Sequence, residues 1–183
     1  MYGSLVAVPA SPGTSGMPTL IDRILGLWLE PPADPAAAEA AFRAIYADPL
    51  SVNDAVLTAA DLVRRARALH RTYADLRIEP VETIETPGRI VLGLRMHARQ
   101  VGPLETPLGT VPATGGAVRL RTVEILTVED GLVTAVWMAA DELDVLRQLT
   151  AGGPAGGHVI DPDKTVEIRS RTGLPRAALP RTR

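Results

Sequence analysis

Apolar positions recur at helical spacing through the first third of this chain and then switch to strict alternation. Leu20, Ile24, Leu27 and Trp28 form one stripe behind Thr19, a capping residue, and Pro31-Pro32 ends that first helix. Asp34-Pro35 restarts a helix with a cap followed by proline at the first helical position. Ala38, Phe42, Ile45 and Tyr46 give it an apolar side, and its end is expected near Tyr46-Ala47-Asp48-Pro49. Leu50 to Asp54 reads as a short extended segment. Thr58-Ala59-Ala60-Asp61 is a capping box that opens a third helix. There Leu62, Ala66, Leu69 and Tyr73 face inward, Arg64, Arg65, Arg67 and Arg71 form a solvated side, and His70 sits at the boundary.

The period changes to two after that helix. Leu76 to Thr86 reads as a strand with an irregularity at Pro80, and Thr86-Pro87-Gly88 turns the chain. Arg89 to Gln100 is a long strand. Its Ile90, Leu92, Leu94, Met96, Ala98 and Gln100 share one face, and Gly93, Arg95, His97 and Arg99 share the other. A Pro- and Gly-rich loop over 101–116 is long enough to be a flap over a pocket. Ala117 to Val128 returns as a strand, Glu129-Asp130-Gly131 supplies a tight turn, and a last apolar strand leads into a helix from Glu142. Helices followed by a meander predict an α+β fold, with three helices packed on one face of a curved antiparallel sheet.

The last strand carries the first candidate chemistry. Alternation puts Val133, Ala135, Trp137, Ala139 and Asp141 on one face and Leu132, Val136, Met138 and Ala140 on the other, and both faces are apolar. On that pattern Asp141 ends a buried row, and a carboxylate at the mouth of an apolar cavity gains a raised pKa suited to proton transfer. The same Asp is equally placed to cap the helix that starts at Glu142. The two roles can coexist.

Composition then removes alternatives. The 183 residues are 46% apolar, enough for one domain with a core, yet only 3% aromatic, which argues against a nucleic-acid binder that stacks bases on rings. The net charge of −2 gives no field that would draw the chain to polyanions. With no Cys, thiolate nucleophiles, disulfides and Cys-bound metals are excluded together, and His70, His97 and His158 lack a zinc-ligand spacing. The only lysine, Lys164, lies towards the C-terminus, so no core Schiff base is available. The expected organisation is a disordered leader over 1–18, a domain over 19–150 and a flexible tail over 151–183 that starts in a Gly-rich linker. The short apolar Leu5-Val6-Ala7-Val8 lacks the basic region of a signal peptide, which points to a cytoplasmic protein with no membrane partner.

The order of these elements resembles the SnoaL-like polyketide cyclases. Tyr73-Ala74-Asp75-Leu76-Arg77 is similar to their Phe-Pro-Asp-Leu-Arg segment, and Val111-Pro112-Ala113-Thr114-Gly115 to their Pro-Pro-Thr-Gly loop. Glu129-Asp130-Gly131-Leu132-Val133 resembles their Glu-Asp-Gly turn. Trp137-Met138-Ala139-Ala140-Asp141 and Leu146-Arg147-Gln148-Leu149 resemble their Trp-x-x-x-Asp and Leu-x-Gln-Leu segments. The resemblance implies the cone-shaped nuclear transport factor 2-like fold, in which a bent sheet and three helices enclose an apolar pocket. It further implies cofactor-independent ring closure by aldol chemistry on a polyketide-like carbonyl compound, in the biosynthesis of secondary metabolites such as antibiotics. The general base of that reaction would be Asp141. Family members carry a His at the end of the long strand, where Gln100 stands here, and another just before the tryptophan, where Val136 stands.

The expected site follows. Asp141 acts as base and acid, Gln100 and the Trp137 indole donate to the developing oxyanion, and Asn53 adds a donor at the rim. Leu94, Met96 and Trp28 form apolar walls, and Tyr46 reaches in with its hydroxyl. His97 is a substitute proton carrier only if a bulge turns it inward, since alternation sets it opposite Gln100. The expected ligand is a small apolar molecule, without metal or cofactor, and the expected assembly a homo-oligomer, dimer or tetramer. An epoxide hydrolase on the same cone is the alternative enzyme, if Arg119, Arg121 and Glu124 point inward. A non-catalytic ligand-binding or assembly module is the alternative of another class.

Overall fold

The structure is a computed structural model that describes residues 17–106 and 109–151. The expected leader, apart from Met17 and Pro18, and nearly all of the expected tail lie outside the described residues.

Three helices open the described chain: α1 (Leu20–Leu29), α2 (Pro35–Arg43) and, after two short strands, α3 (Ala59–Thr72). Thr19 and Thr58 each cap their helix through a reciprocal capping box, with Asp22 and Asp61 as the third-position partners. The hydrogen bonds from Thr58 hold the Asp61 carboxyl down at about 2. Asp34 caps α2 with Pro35 behind it. That helix stops at Arg43, short of the expected end. Tyr46 instead begins β1 (Tyr46–Val52), because parallel pairing with the last long strand outweighs the helical preference of the alanine-rich segment. β2 (Ala55–Leu57) then hydrogen-bonds back on β1.

The rest is a meander: β3 (Tyr73–Thr86), β4 (Arg89–Gln100), the small hairpin β5 (Leu104–Thr106) and β6 (Gly109–Val111), β7 (Ala117–Glu129) and β8 (Leu132–Ala140). α4 (Glu142–Ala151) follows. Strands β2-β1-β8-β7-β4-β3 make one sheet in that order, antiparallel except where β1 runs parallel to β8. Tyr73, expected on α3, is its C-cap and the first residue of β3. The predicted irregularity at Pro80 is a register shift between Pro80 and Glu82 against β4. Asp130 and Gly131, both with positive φ, form the two-residue turn between β7 and β8.

One face of the sheet carries the core. Leu92, Leu126 and Val133 are fully buried there, and Phe42 from α2 is fully buried against them with an edge-on contact to Trp28 and a stacked one to Tyr46. A second cluster joins Tyr73, Met96, Ala98 and Val118 to Val111 and to Val145, Leu146 and Leu149 of α4. Gly102 fits where it does because a side chain would strike the Arg71 carbonyl. Phe42→Ala is expected to cost about 3–5 kcal/mol, since it removes the largest fully buried side chain among the described residues, and a urea unfolding midpoint measures that loss.

Candidate active site

Between the inner face of the sheet and the helices α1 and α3 lies a cavity of about 310 Å³. That is the low end of the range that holds a small organic ligand. Its walls are mostly aliphatic. Ile24, Leu25 and Trp28 come from α1, Leu62 and Leu69 from α3, Leu94 and Met96 from β4, and Val136, Met138 and Ala140 from β8. Polar groups are few: Tyr46, Thr122, Glu124 and, among the lining charges, Arg65 and Glu142.

Glu124 is the unusual one. It stands on the inward row of β7, between Thr122 and the buried Leu126, with Leu92 and Met138 as its neighbours across the sheet. Among the described residues no hydrogen bond or ion pair reaches its carboxylate, and burial pushes its pKa up from the ordinary glutamate range. Glu124 itself is half-buried, and Tyr46 is buried. The Trp28 Nε1–H donates to its hydroxyl oxygen at 2.9 Å, so the phenolic proton is left to point elsewhere. Burial raises the Tyr46 pKa, the Trp28 hydrogen bond opposes that rise, and the Glu124 charge adds to it. The phenol therefore stays protonated. Trp28 is fixed in turn by His70, whose Nε2 donates to the Trp28 carbonyl at 2.9 Å. A carboxyl that can take a proton and a phenol that can give a hydrogen bond thus share one apolar chamber.

Four of the residues predicted for the site line it: Leu94, Met96, Trp28 and Tyr46. The others are placed elsewhere. On β8 it is the face with Val136, Met138 and Ala140 that looks inward, so Trp137 lies on the outer face and is 55% exposed. Asp141 follows the same parity. Its carboxylate accepts from the Arg121 guanidinium at 2.7 Å and from the Asp144 N–H at 3.3 Å, so it is a helix cap with an exposed ion-pair partner, outside the cavity. Both faces of β8 are apolar, and that is why alternation alone assigned the wrong one to the interior.

Gln100 is fully buried but serves the 101–116 segment. Its Nε2 donates to the carbonyls of Val111 and Pro112, and its Oε1 accepts from the N–H and hydroxyl of Thr114. With both ends of the amide engaged, none of it is offered to a ligand. The segment it holds carries the β5–β6 hairpin, and none of its described residues lines the cavity, so the expected flap is not seen there. Asn53 hydrogen-bonds the backbone of Met138 with both its amide atoms, extending the β1–β8 pairing beyond the strand. His97 faces outward at 4.0 Å from Glu79; the register shift beside it, between Ala74 and Arg77, puts the extra residue on β3 and leaves the alternation of β4 intact. Arg119 and Arg121 share that outer face, so the cations needed for epoxide hydrolysis are not brought beside Glu124.

Among the described residues no group of three or more His, Cys, Asp or Glu could hold a metal ion, and no helix is long and apolar enough to cross a membrane. Glu124 was legible as the one charged residue in the row Val118, Leu120, Thr122, Glu124, Leu126 and Val128.

The family description of SnoaL-like polyketide cyclases matches residues 27–149. The chain belongs to that family. Its fold is the nuclear transport factor 2-like cone. Among solved structures, TsrD from Streptomyces laurentii is 22% identical with a TM-score of 0.60, over 72% of this chain and 92% of that one. A SnoaL-like polyketide cyclase from Agrobacterium tumefaciens is 18% identical with a TM-score of 0.57, over 73% and 99% of the two chains. A Catenulispora acidiphila protein with a ketosteroid isomerase-like fold is 11% identical with a TM-score of 0.54, over 76% and 96%. A search of curated proteins finds no match. At these identities the solved structures speak for the fold.

Glu124 also sets a stability expectation. A carboxyl whose folded pKa is raised binds its proton more tightly folded than unfolded, so its burden is absent below the unfolded value and complete above the folded one. Glu124→Gln should therefore melt at a higher temperature than the parent near neutral pH. The gain should vanish as pH falls through the ordinary glutamate range, as thermal melts across a pH series would show.

Proposed function

We propose that this family member is a cofactor-independent acid–base enzyme of secondary metabolism that acts on a small, apolar, polyketide-like carbonyl compound. The observation that carries the reading is Glu124, a carboxylate with no bonded partner among the described residues, facing an apolar cavity beside the Tyr46 hydroxyl. Membership in the cyclase family supports the substrate class. The reading assigns the base to Glu124 in place of Asp141, whose oxygens are occupied outside the cavity.

The steps balance without a co-reactant. Ionised Glu124 removes a proton from the carbon next to a ligand carbonyl, and the electron pair moves to the carbonyl oxygen. The Tyr46 O–H donates a hydrogen bond to that enolate oxygen, and it is oriented for this by the Trp28 indole on its other side. The enolate carbon then attacks a second carbonyl of the same molecule, a carbon–carbon bond closes the ring, and protonated Glu124 returns its proton to the new alkoxide. Leu94, Met96 and Met138 exclude water from the enolate.

Assembly as a cytoplasmic homo-oligomer belongs to the same reading. Trp137, Ile125, Val91 and Ile84 form one register row across β8, β7, β4 and β3 on the outer face, with Trp137 and Ile84 more than half exposed. A row that spans four strands can pack on its own copy about a two-fold axis. Trp137→Glu should convert the oligomer to monomers in sedimentation equilibrium. A parent protein that sediments as a monomer contradicts this part.

Proton abstraction can be tested without the natural substrate. In deuterated water the protein should accelerate deuterium entry next to the ketone of 2-tetralone, followed by proton NMR. Glu124→Gln should abolish the acceleration, Tyr46→Phe should slow it about 10²–10³-fold, and Asp141→Asn, which keeps the cap, should leave it intact. Full exchange by Glu124→Gln, or its loss in Asp141→Asn, would return the base to Asp141.

A further inference from the structure

Helix α3 presents three side chains to the cavity, Leu62, Arg65 and Leu69, at the spacing of one helical stripe. Two are the aliphatic residues that an apolar wall calls for. The middle one is a guanidinium. Of the other basic groups on α3, Arg64 pairs with Asp61, Arg67 donates to the Ala33 carbonyl and His70 holds the Trp28 carbonyl, while Arg71 is exposed and outside the cavity lining. Arg65 has neither a hydrogen bond nor an ion pair among the described residues, and it is the one cation in the cavity wall. Arg65 is exposed, so its guanidinium stands at the solvent side of the wall, where the charge carries no burial cost. The guanidinium offers a planar fork of donors that fits a carboxylate through two parallel hydrogen bonds.

We propose that Arg65 recognises a carboxylate on the ligand, so that the substrate class is an apolar carbonyl acid. The inference rests on the cavity being a ligand site, as in the function proposed above, and adds the polarity of one end of the ligand. Glu124 comes from the sheet and Arg65 from the helix layer, so a ligand held between them is anchored by its charged end at the rim while its carbonyl carbon is presented to the base. The arrangement also gives orientation. The aliphatic walls alone would accept the molecule either way round, whereas a carboxylate on Arg65 permits one direction. Glu142, the other charged residue of the lining, carries the opposite sign and comes from the start of α4, so a ligand carboxylate near it is disfavoured.

Binding tests this without turnover. 2-Naphthoate and its methyl ester are titrated by calorimetry into the full chain at pH 8, where the acid is ionised. The parent should bind the acid at least about tenfold more tightly than the ester, the size expected for a charge-assisted pair. Added salt should weaken only the acid. Arg65→Met should bring the acid down to the affinity of the ester and leave the ester unchanged, and Arg65→Lys should keep part of the preference, having the charge without the fork. Thermal melts of both variants establish that they fold. An ester bound as tightly as the acid by the parent, a preference that survives Arg65→Met, or no binding of either compound overturns the proposal. Glu124→Gln should keep the preference for the acid, so a failed exchange experiment and a failed binding experiment can be told apart.

Discussion

An acid held in an apolar chamber without a cation bonded to it is a cost that folding must offset elsewhere. Glu124 carries that cost here. The sheet bears it because the inward row of β7 is pinned on both sides, by β4 from Ala117 to Thr127 and by β8 from Thr122 to Glu129. A side chain on that row cannot turn to solvent without shifting the register of three strands. The helices close the other side. Phe42, Trp28 and Tyr46 pack as one aromatic cluster, and the hydrogen bond between the last two leaves a phenolic proton available near the acid. Rigid placement of two groups with opposite proton preferences is what the fold contributes to chemistry.

Side-chain amides do much of the fastening around this chamber. Gln100 ties down the segment after β4, Asn53 prolongs the pairing of β1 with β8, and Gln148 bonds the Arg119 N–H and carbonyl, which docks α4 against β7. Each replaces backbone partners that an irregular chain would otherwise leave unmet. Gln100 is the most telling, since it stands where the resemblance to the family implies a His. An imidazole offers one donor and one acceptor there, while the amide serves four partners around the loop.

Much of the architecture was legible in the residues. Caps at Thr19, Asp34 and Thr58, the period-two runs and the Asp130-Gly131 turn are local signals, and local signals survive folding when packing agrees with them. The end of α2 was not legible, because its fate depends on a strand more than eighty residues away. The site was half legible for a related reason. On β4 one face is charged, so Leu94 and Met96 were assigned inward correctly. On β8 both faces are apolar, and nothing in the pattern says which one meets the helices. The weight given to Asp141 followed its motif, whose residues here form an outward ion pair and a cap. Glu124 had a plainer signal, a lone charge in an otherwise uncharged row, but its alternates Arg119 and Arg121 made the strand look polar throughout.

The titration of the Glu124 carboxyl itself is the most direct measurement. Carbon-13 NMR of glutamate-labelled protein, with the resonance assigned by its loss in Glu124→Gln, follows that one group from acid to neutral pH. A midpoint clearly above the ordinary glutamate value of about 4.3, shifting when a ligand fills the cavity, is the expected result. A midpoint at or below that value, indifferent to ligand, would mean a solvated carboxylate and no base in the chamber.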